Sequence, residues 1–440
     1  MNAPFRIGVA GLGTVGASLL QLLARRRLPL AERCGREIQV TAVSARDRTR
    51  QRGVALDGLA WLDDPTTLAD RADVDCVVEL IGGSEGAARA TVEAALAAGK
   101  HVVTANKALL AHHGVALAEA AEARGVALAF EASVAGGIPV LKALRESLAG
   151  NAIERIHGIL NGTCNYILSR MEADGLAFDV CLADAQRLGY AEADPTFDIE
   201  GFDTAHKLAI LTSLAFGTRV DAEAVHVEGI SSITPLDIRM ANELGYRIKL
   251  LGVAERTRAG IEQRVHPTMV SKATALAQVM GVTNAVSIDA DAVDELTLVG
   301  PGAGGEATAS SVVADLADVA RGAFGAPFGV PVAELAPLLR APMQRHEGGY
   351  YVRVAAFDKP GAAASLVRRM AEADISLESI VQHRSPDAAA RDPGGRSGAP
   401  VPVVLITYAT TEAALRGALD LVIADGFVEA TPQVIRIERD

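Results

Sequence analysis

Apolar positions in the first 150 residues fall into short runs separated by amphipathic stretches of helical length. FRIGVA (5–10), EIQVTAVSA (37–45), VDCVVELIG (74–82), KHVVTAN (100–106) and GVALAFEASV (125–134) read as buried strands. ASLLQLLA (17–24), AARATVEAALAAG (87–99) and the segment after residue 106 read as helices between them. Strands alternating with helices predict an α/β unit over residues 1–150, a doubly wound parallel sheet.

From 151 to 302 the texture becomes α+β. Its parts are NAIERIHGILNGTCNYIL (151–168), helices near 179–188 and 203–216 around an acidic turn, and strands at RIKLLGVAE (247–255) and AVSIDA (285–290). A Gly-rich turn then precedes a helix around 303–322, expected to return the chain to the first unit. The Pro-rich stretch within 323–347 reads as a linker. Residues 348–440 follow the order strand-helix-strand-strand-helix-strand, which predicts a self-contained ferredoxin-like unit. Inside it, SPDAAARDPGGRSGAP (385–400) has the composition of a disordered loop.

Composition narrows the function. A net charge of -12 and only 4% aromatic residues argue against nucleic acid and anionic membrane as partners. Cys34, Cys76, Cys164 and Cys181 are too scattered for a disulfide scaffold or zinc site and read as reduced, buried thiols. No uninterrupted apolar run reaches the ~18 residues of a membrane span. The chain also enters its first strand without signal-peptide organisation, so a cytoplasmic protein is expected.

Gly11, Gly13 and Gly16, with Thr14 and Val15 between them, form G-x-G-x-x-G between a strand and a helix. That context suits a dinucleotide pyrophosphate seated on a helix N-terminus. The second strand ends in Ser44-Ala45-Arg46 rather than an acid, and Arg48 is close by. A guanidinium there favours the 2′-phosphate of NADP(H), while Asp47 leaves NAD open and Arg46 could also be a solvated loop charge. Thr104, Asn106 and Lys107 follow a later strand at its carboxyl end, where open α/β sheets bind ligands.

The densest chemistry is GYAEADPTFDIEGFDTAHKL (189–208). Glu192, Asp194, Asp198, Glu200 and Asp203 crowd one turn, and Asp203 and Lys207 share a helix face at i,i+4. Crowded carboxylates need a shared cation, either Lys207 or a substrate ammonium group. A solvated acidic loop beside an ordinary helix ion pair is the bland alternative.

With these segments laid out, the chain resembles homoserine dehydrogenase over essentially its full length. The resemblance is carried by GLGTVG, TANK (104–107), EASVAGGIP (131–139), NGTCNYIL (161–168), the acidic turn and GPGAGG (300–305). It implies a Rossmann-type domain, a catalytic and dimerisation domain, and NADPH-dependent reduction of aspartate semialdehyde in threonine and methionine biosynthesis. Lys207 would be the acid/base and Lys107 its electrostatic partner. Glu192 and Asp203 would clamp the substrate ammonium, with Asp198, Tyr190 and Thr163 in support. Gly189, Gly302 and Gly304 would join the cofactor site. A monovalent cation, typically sodium, would bind near Glu131, Val134, Gly136 and Ile138, mainly through backbone carbonyls.

The tail resembles an ACT domain, with FDKPG (357–361) at its ligand-side turn. This implies an amino-acid effector such as threonine, and a homodimer or homotetramer. A dehydrogenase of another amino-acid semialdehyde and a non-catalytic NADP(H) sensor are the rival readings. The acidic turn argues against the first and the two lysines against the second.

Overall fold

The structure, a computed structural model, describes residues 3–382 and 400–438. The loop expected over 385–400 lies outside the described residues except for Pro400, which opens a strand.

The first sheet contains β1 (Phe5–Ala10), β2 (Ile38–Ser44), β3 (Ala60–Leu62), β4 (Cys76–Glu79), β5 (His101–Thr104) and β6 (Leu128–Ala129). Its order is β3-β2-β1-β4-β5-β6 and every pairing is parallel, the doubly wound arrangement expected. Strands buried on both faces explain the continuous apolar runs. One face packs Ile7, Val9 and Val78 against α1 (Thr14–Arg25), with α2 (Arg27–Cys34) alongside. The other packs Ala10, Val77 and Val102 against α3 (Ala87–Ala97) and α4 (Lys107–Arg124).

The strand expected over 125–134 shortens to β6. The chain leaves the sheet there because the Glu131 carboxylate turns to accept from Leu141 N at 2.9 Å and Lys142 N at 2.8 Å. Those two amides belong to the short helix α5 (Val140–Lys142).

The second sheet begins with β7 (Ile153–Ile159), β8 (His226–Val227), β9 (Tyr246–Thr257), β10 (Gly260–Ser271), β11 (Thr283–Ala290) and β12 (Asp294–Pro301). Helices α6 (Gly162–Asp174), α7 (Phe178–Arg187), α8 (Thr196–Ile199), α9 (Phe202–Phe216) and α10 (Pro235–Glu243) accompany it. Next, α11 (Gly305–Arg321) returns to the first sheet, burying Val312 and Leu316 in one core with Leu19 of α1.

The C-terminal segment forms β13 (Glu347–Phe357), α12 (Ala362–Glu372), β14 (Leu377–Gln382), β15 (Pro400–Thr407), β16 (Thr410–Thr411), α13 (Glu412–Ala424) and β17 (Gln433–Glu438). Its order β17-β13-β15-β14 is ferredoxin-like. It is not self-contained, however. β17 runs parallel to β10, pairing Thr268 with Arg436, so one continuous sheet crosses from the catalytic part into the tail. The junction carries buried polar links, Arg264 to Glu438 at 2.9 Å and the Tyr351 hydroxyl to Asp237 at 2.8 Å.

The expected linker is a packed strap. Phe328, Val332 and Ala341 are buried, Arg219 N donates to Ala336 O at 2.9 Å, and Ala341 N donates to Ile261 O at 2.9 Å. No helix among the described residues is long and apolar enough to cross a membrane.

Candidate active site

The glycine turn after β1 divides its labour by geometry. A Cβ on Gly11, whose φ is +101°, would stand 2.4 Å from Leu80 O, and one on Gly16 would stand 2.1 Å from Gly11 O. Both glycines are therefore required by the protein's own packing. A Cβ on Gly13 would meet nothing within 4 Å. Glycine at that position instead suits the close approach of a pyrophosphate to the start of α1.

A groove of about 740 Å³ runs from this turn past Ser44, Arg46, Arg50 and Arg52. Asp47 also lines this groove, and its Oδ1 closes its own turn, accepting from Thr49 N at 2.8 Å, Thr49 Oγ1 at 2.7 Å and Arg50 N at 3.2 Å. The guanidinium groups of Arg48 and Arg52 each lie 5.7 Å from the Trp61 ring centre. Arg50 and Arg52 were missed in the sequence, although arginine at every second position from 46 to 52 was a readable sign of a cationic loop.

Thr104 and Asn106, expected at the cofactor, act on its wall. Thr104 Oγ1 donates to the fully buried Glu79 at 2.6 Å, and Glu79 also accepts from Ile81 N at 2.7 Å and Gly82 N at 3.1 Å. Asn106 caps α4 through Leu109 N at 3.1 Å and donates to Gly83 O at 2.7 Å. Together they fix residues 81–83, of which Ile81 and Gly82 line both the groove and an inner cavity. Glu79, at the end of an apolar strand, gave no sequence signal of this task.

The inner cavity, about 240 Å³, is lined by Val15, Asn106, Lys107, Ser133, Lys207 and Gly302, among others. Lys107 opens α4 and Lys207 lies in α9, yet both reach Asp203. Lys207 Nζ is 2.8 Å from Asp203 Oδ2 and Lys107 Nζ is 3.2 Å from Oδ1. Lys207 also donates to Leu160 O at 2.7 Å. Asn161 Nδ2 donates to Asp203 Oδ2 and to Asp198 Oδ1, both at 2.8 Å.

Burial pushes the Asp203 carboxyl upward, but the charges of Lys207 and Lys107 outweigh it and hold the group well below the usual carboxylate range. Burial and the neighbouring Asp203 push Asp198 up. Breaking a buried pair of this kind costs roughly 3–5 kcal/mol, far above the exposed helix pair considered from sequence.

Other expected residues separate from this centre. Asp203 itself stays at the centre, its oxygens shared by the two lysines and Asn161. Glu192 is exposed, and no ion pair joins it to either lysine among the described residues. The Thr163 hydroxyl is spent on Tyr190 O at 2.6 Å, anchoring the loop, while the Tyr190 ring stands edge-on to Tyr166 at 5.0 Å. Gly189 ends α7 with φ +78°. Cys164 Sγ donates to Asp198 O at 3.2 Å, and burial raises its thiol well above the ordinary value, so it is no nucleophile.

Residues 131–138 form a buried loop against the GPGAGG turn. A Cβ on Gly136, at φ +56°, would lie 2.4 Å from Gly302 O. The Gly136 carbonyl accepts from Ser311 Oγ at 2.6 Å, and the Ile138 carbonyl accepts from Val140 N at 2.8 Å. Val134 and Ile138 keep their side chains in the core. The Glu131 carboxyl, already engaged by two amides, is pushed up to about 7 by burial and by Asp315. A cation at this loop would therefore depend on main-chain carbonyls. Gly304, at φ +111°, caps α11, and a Cβ on the next residue, Gly305, would touch Ser18 of α1.

A Rossmann groove opening onto a cavity walled by two lysines, both paired with one buried aspartate, fits a nicotinamide-dependent oxidoreductase. The family model for homoserine dehydrogenase matches residues 139–317, and that for the homoserine dehydrogenase NAD-binding domain matches residues 11–131. Homoserine dehydrogenases of Neisseria gonorrhoeae and Pseudomonas aeruginosa are each 43% identical to the chain over 99% of both partners. The crystal structure of a homoserine dehydrogenase from Thiobacillus denitrificans superposes with a TM-score of 0.91 at 45% identity, covering 99% of this chain and 98% of that one. A hyperthermophilic archaeal homoserine dehydrogenase solved with NADPH matches at TM-score 0.63 and 27% identity, over 74% of this chain and 99% of that one. The chain belongs to the homoserine dehydrogenase family.

Proposed function

We propose that Lys207 moves the proton in the reaction of this family, the reversible NAD(P)H-dependent reduction of L-aspartate 4-semialdehyde to L-homoserine. The observation that carries this reading is the Asp203 carboxylate bridging Lys207 and Lys107 at the wall of the inner cavity. The nicotinamide supplies or accepts the hydride. Reduction leaves negative charge on the former aldehyde oxygen, and oxidation requires the hydroxyl proton to leave. An ammonium group has three donors, and Lys207 spends two on Asp203 and Leu160 O. The third serves the substrate oxygen. Lys107 adds a second positive charge for the developing alkoxide, and Asp203 holds both lysines in register.

Asp203 and Asp198, both held by the Asn161 amide, are the proposed carboxylates for the substrate ammonium. Glu192 reaches the site only if its exposed loop folds inward over bound substrate. NADP(H) is the proposed cofactor in preference to NAD(H), supported by Ser44 at the end of β2 and by Arg46 and Arg50 in the groove. Sodium is proposed at the main-chain carbonyls of 131–138. For the C-terminal unit we propose an ACT module responding to an amino acid such as threonine, supported by the β17-β13-β15-β14 order and the FDKPG turn before α12.

Mixing the protein with L-homoserine and NADP⁺ at alkaline pH, and following NADPH absorbance, tests the reading. Strong turnover that weakens with NAD⁺, and a loss of the NADP⁺ preference in Arg46→Ala, are expected. No turnover with either nucleotide, in a protein that binds NADPH, would overturn it.

A further inference from the structure

Residues 227–230 lie flush against the acidic turn. Ile230 N donates to Ile199 O at 2.9 Å, and a Cβ on Gly229 would meet Ile199 O at 2.6 Å and Glu200 Cα at 2.7 Å. Gly201, which begins α9 at φ +87°, could not carry a Cβ without reaching Val265 at 3.0 Å and Val227 at 3.1 Å. The first turn of α9 carries Asp203, and the next carries Lys207. The stretch that leads into Asp203 therefore packs directly on the 227–229 segment, with no room for an added methyl group.

Two attachments fix that segment. Glu228 N donates to Val265 O of β10 at 2.8 Å. The Glu228 carboxylate receives Arg436 from β17, Nη1 on Oε2 at 2.9 Å and Nη2 on Oε1 at 3.0 Å. Arg436 is 2% exposed, and its other contacts go to Glu412 at the start of α13, Nε at 3.1 Å and Nη2 at 2.9 Å. His226 at 3.0 Å and Arg416 at 3.6 Å also face Glu228. A guanidinium paired bidentately with two carboxylates cannot rotate or slide without breaking both.

We infer that the Arg436–Glu228 pair positions the acidic turn, so that homoserine binding depends on how the C-terminal unit is seated against the catalytic sheet. The inference rests on the site reading above, in which Asp203 and Lys207 serve the substrate. Glu228 is a positioning residue, because it acts through residues 199–203. Glu412 is the matched comparison: it pairs with the same guanidinium from within the C-terminal unit.

The test compares Glu228→Gln, Glu412→Gln and Asp203→Asn in the full chain, by steady-state kinetics with L-homoserine and NADP⁺. Glu228→Gln is expected to raise the KM for homoserine by about tenfold through misplacement of the turn, with the KM for NADP⁺ unchanged. Glu412→Gln should leave both constants near those of the parent. Glu228→Asp, which keeps the charge but shortens the reach, replaces the Gln variant if that one fails to fold, with the same expectation. Equal KM effects from Glu228 and Glu412 substitutions would overturn the inference, since Arg436 would then only hold the fold together. An unchanged homoserine KM in Glu228→Gln, beside an inactive Asp203→Asn, would overturn it as well. Near-normal activity of Asp203→Asn would instead overturn the site reading beneath it.

Discussion

Lys107 Nζ stands 3.2 Å from Asp203 Oδ1, an ion pair that joins the nucleotide-binding part of the chain to the catalytic part. Lys107 is half-buried and Asp203 is almost wholly buried, so the contact spans the cleft proposed above for hydride transfer. Replacing Lys107 by Met removes one of the two cations that hold the Asp203 carboxyl low. The acid limb of kcat/KM for homoserine should then move to higher pH, with a fall on the order of 10²-fold at the optimum. A pH–rate profile superimposable on the parent's would remove Lys107 from the site.

The glycine turn offers two substitutions with opposite expectations. Gly16→Ala forces a Cβ to 2.1 Å from Gly11 O and should lower the melting temperature sharply. Gly13→Ala meets no protein atom within 4 Å, so its melting curve should match the parent's while NADPH affinity drops. Thermal unfolding with and without NADPH separates the two. A Gly13→Ala protein that binds NADPH normally would place the pyrophosphate elsewhere.

Much of this was legible in the sequence, and the reasons are specific. Gly11, Gly13 and Gly16 sit between an apolar strand and a helix, so local spacing carries the motif. Asp203 and Lys207 are one helical turn apart, so their pairing is also local. The Glu79–Thr104 contact joins residues 25 apart and the Glu228–Arg436 pair residues 208 apart, which no local pattern encodes. β10 escaped for the same reason. Glu262, Arg264 and His266 read as polar, yet all three are buried, Glu262 and Arg264 paired with each other, Glu262 also with His346 and Arg264 with Glu438. Because that ion network hides the strand, the continuity of β10 with β17 was hidden too.

Lys249 yields a pH prediction. It is 1% exposed, donates to Val279 O at 2.6 Å and Asn165 Oδ1 at 3.0 Å, and burial lowers its pKa from 10.5 to about 8. Between those values the unfolded chain binds a proton that the folded chain does not, so stability should rise with pH across the window. Below about 8 both states are protonated and the whole burial penalty applies. Lys249→Met should flatten the rise, a difference on the order of 3 kcal/mol between the ends of the window. Urea midpoints measured from pH 7 to 10.5 check it; parallel curves for parent and variant would contradict it.

The most direct test of the central claim is single-turnover oxidation of L-homoserine by Lys207→Met, with NADPH binding measured on the same preparation. The rate is expected to fall by roughly 10²–10⁴-fold, the share that a positioned proton carrier supplies, with NADPH affinity essentially that of the parent. A rate near the parent's would show that the proton travels by another group, and the roles assigned to Lys107 and Asp203 would fall with it.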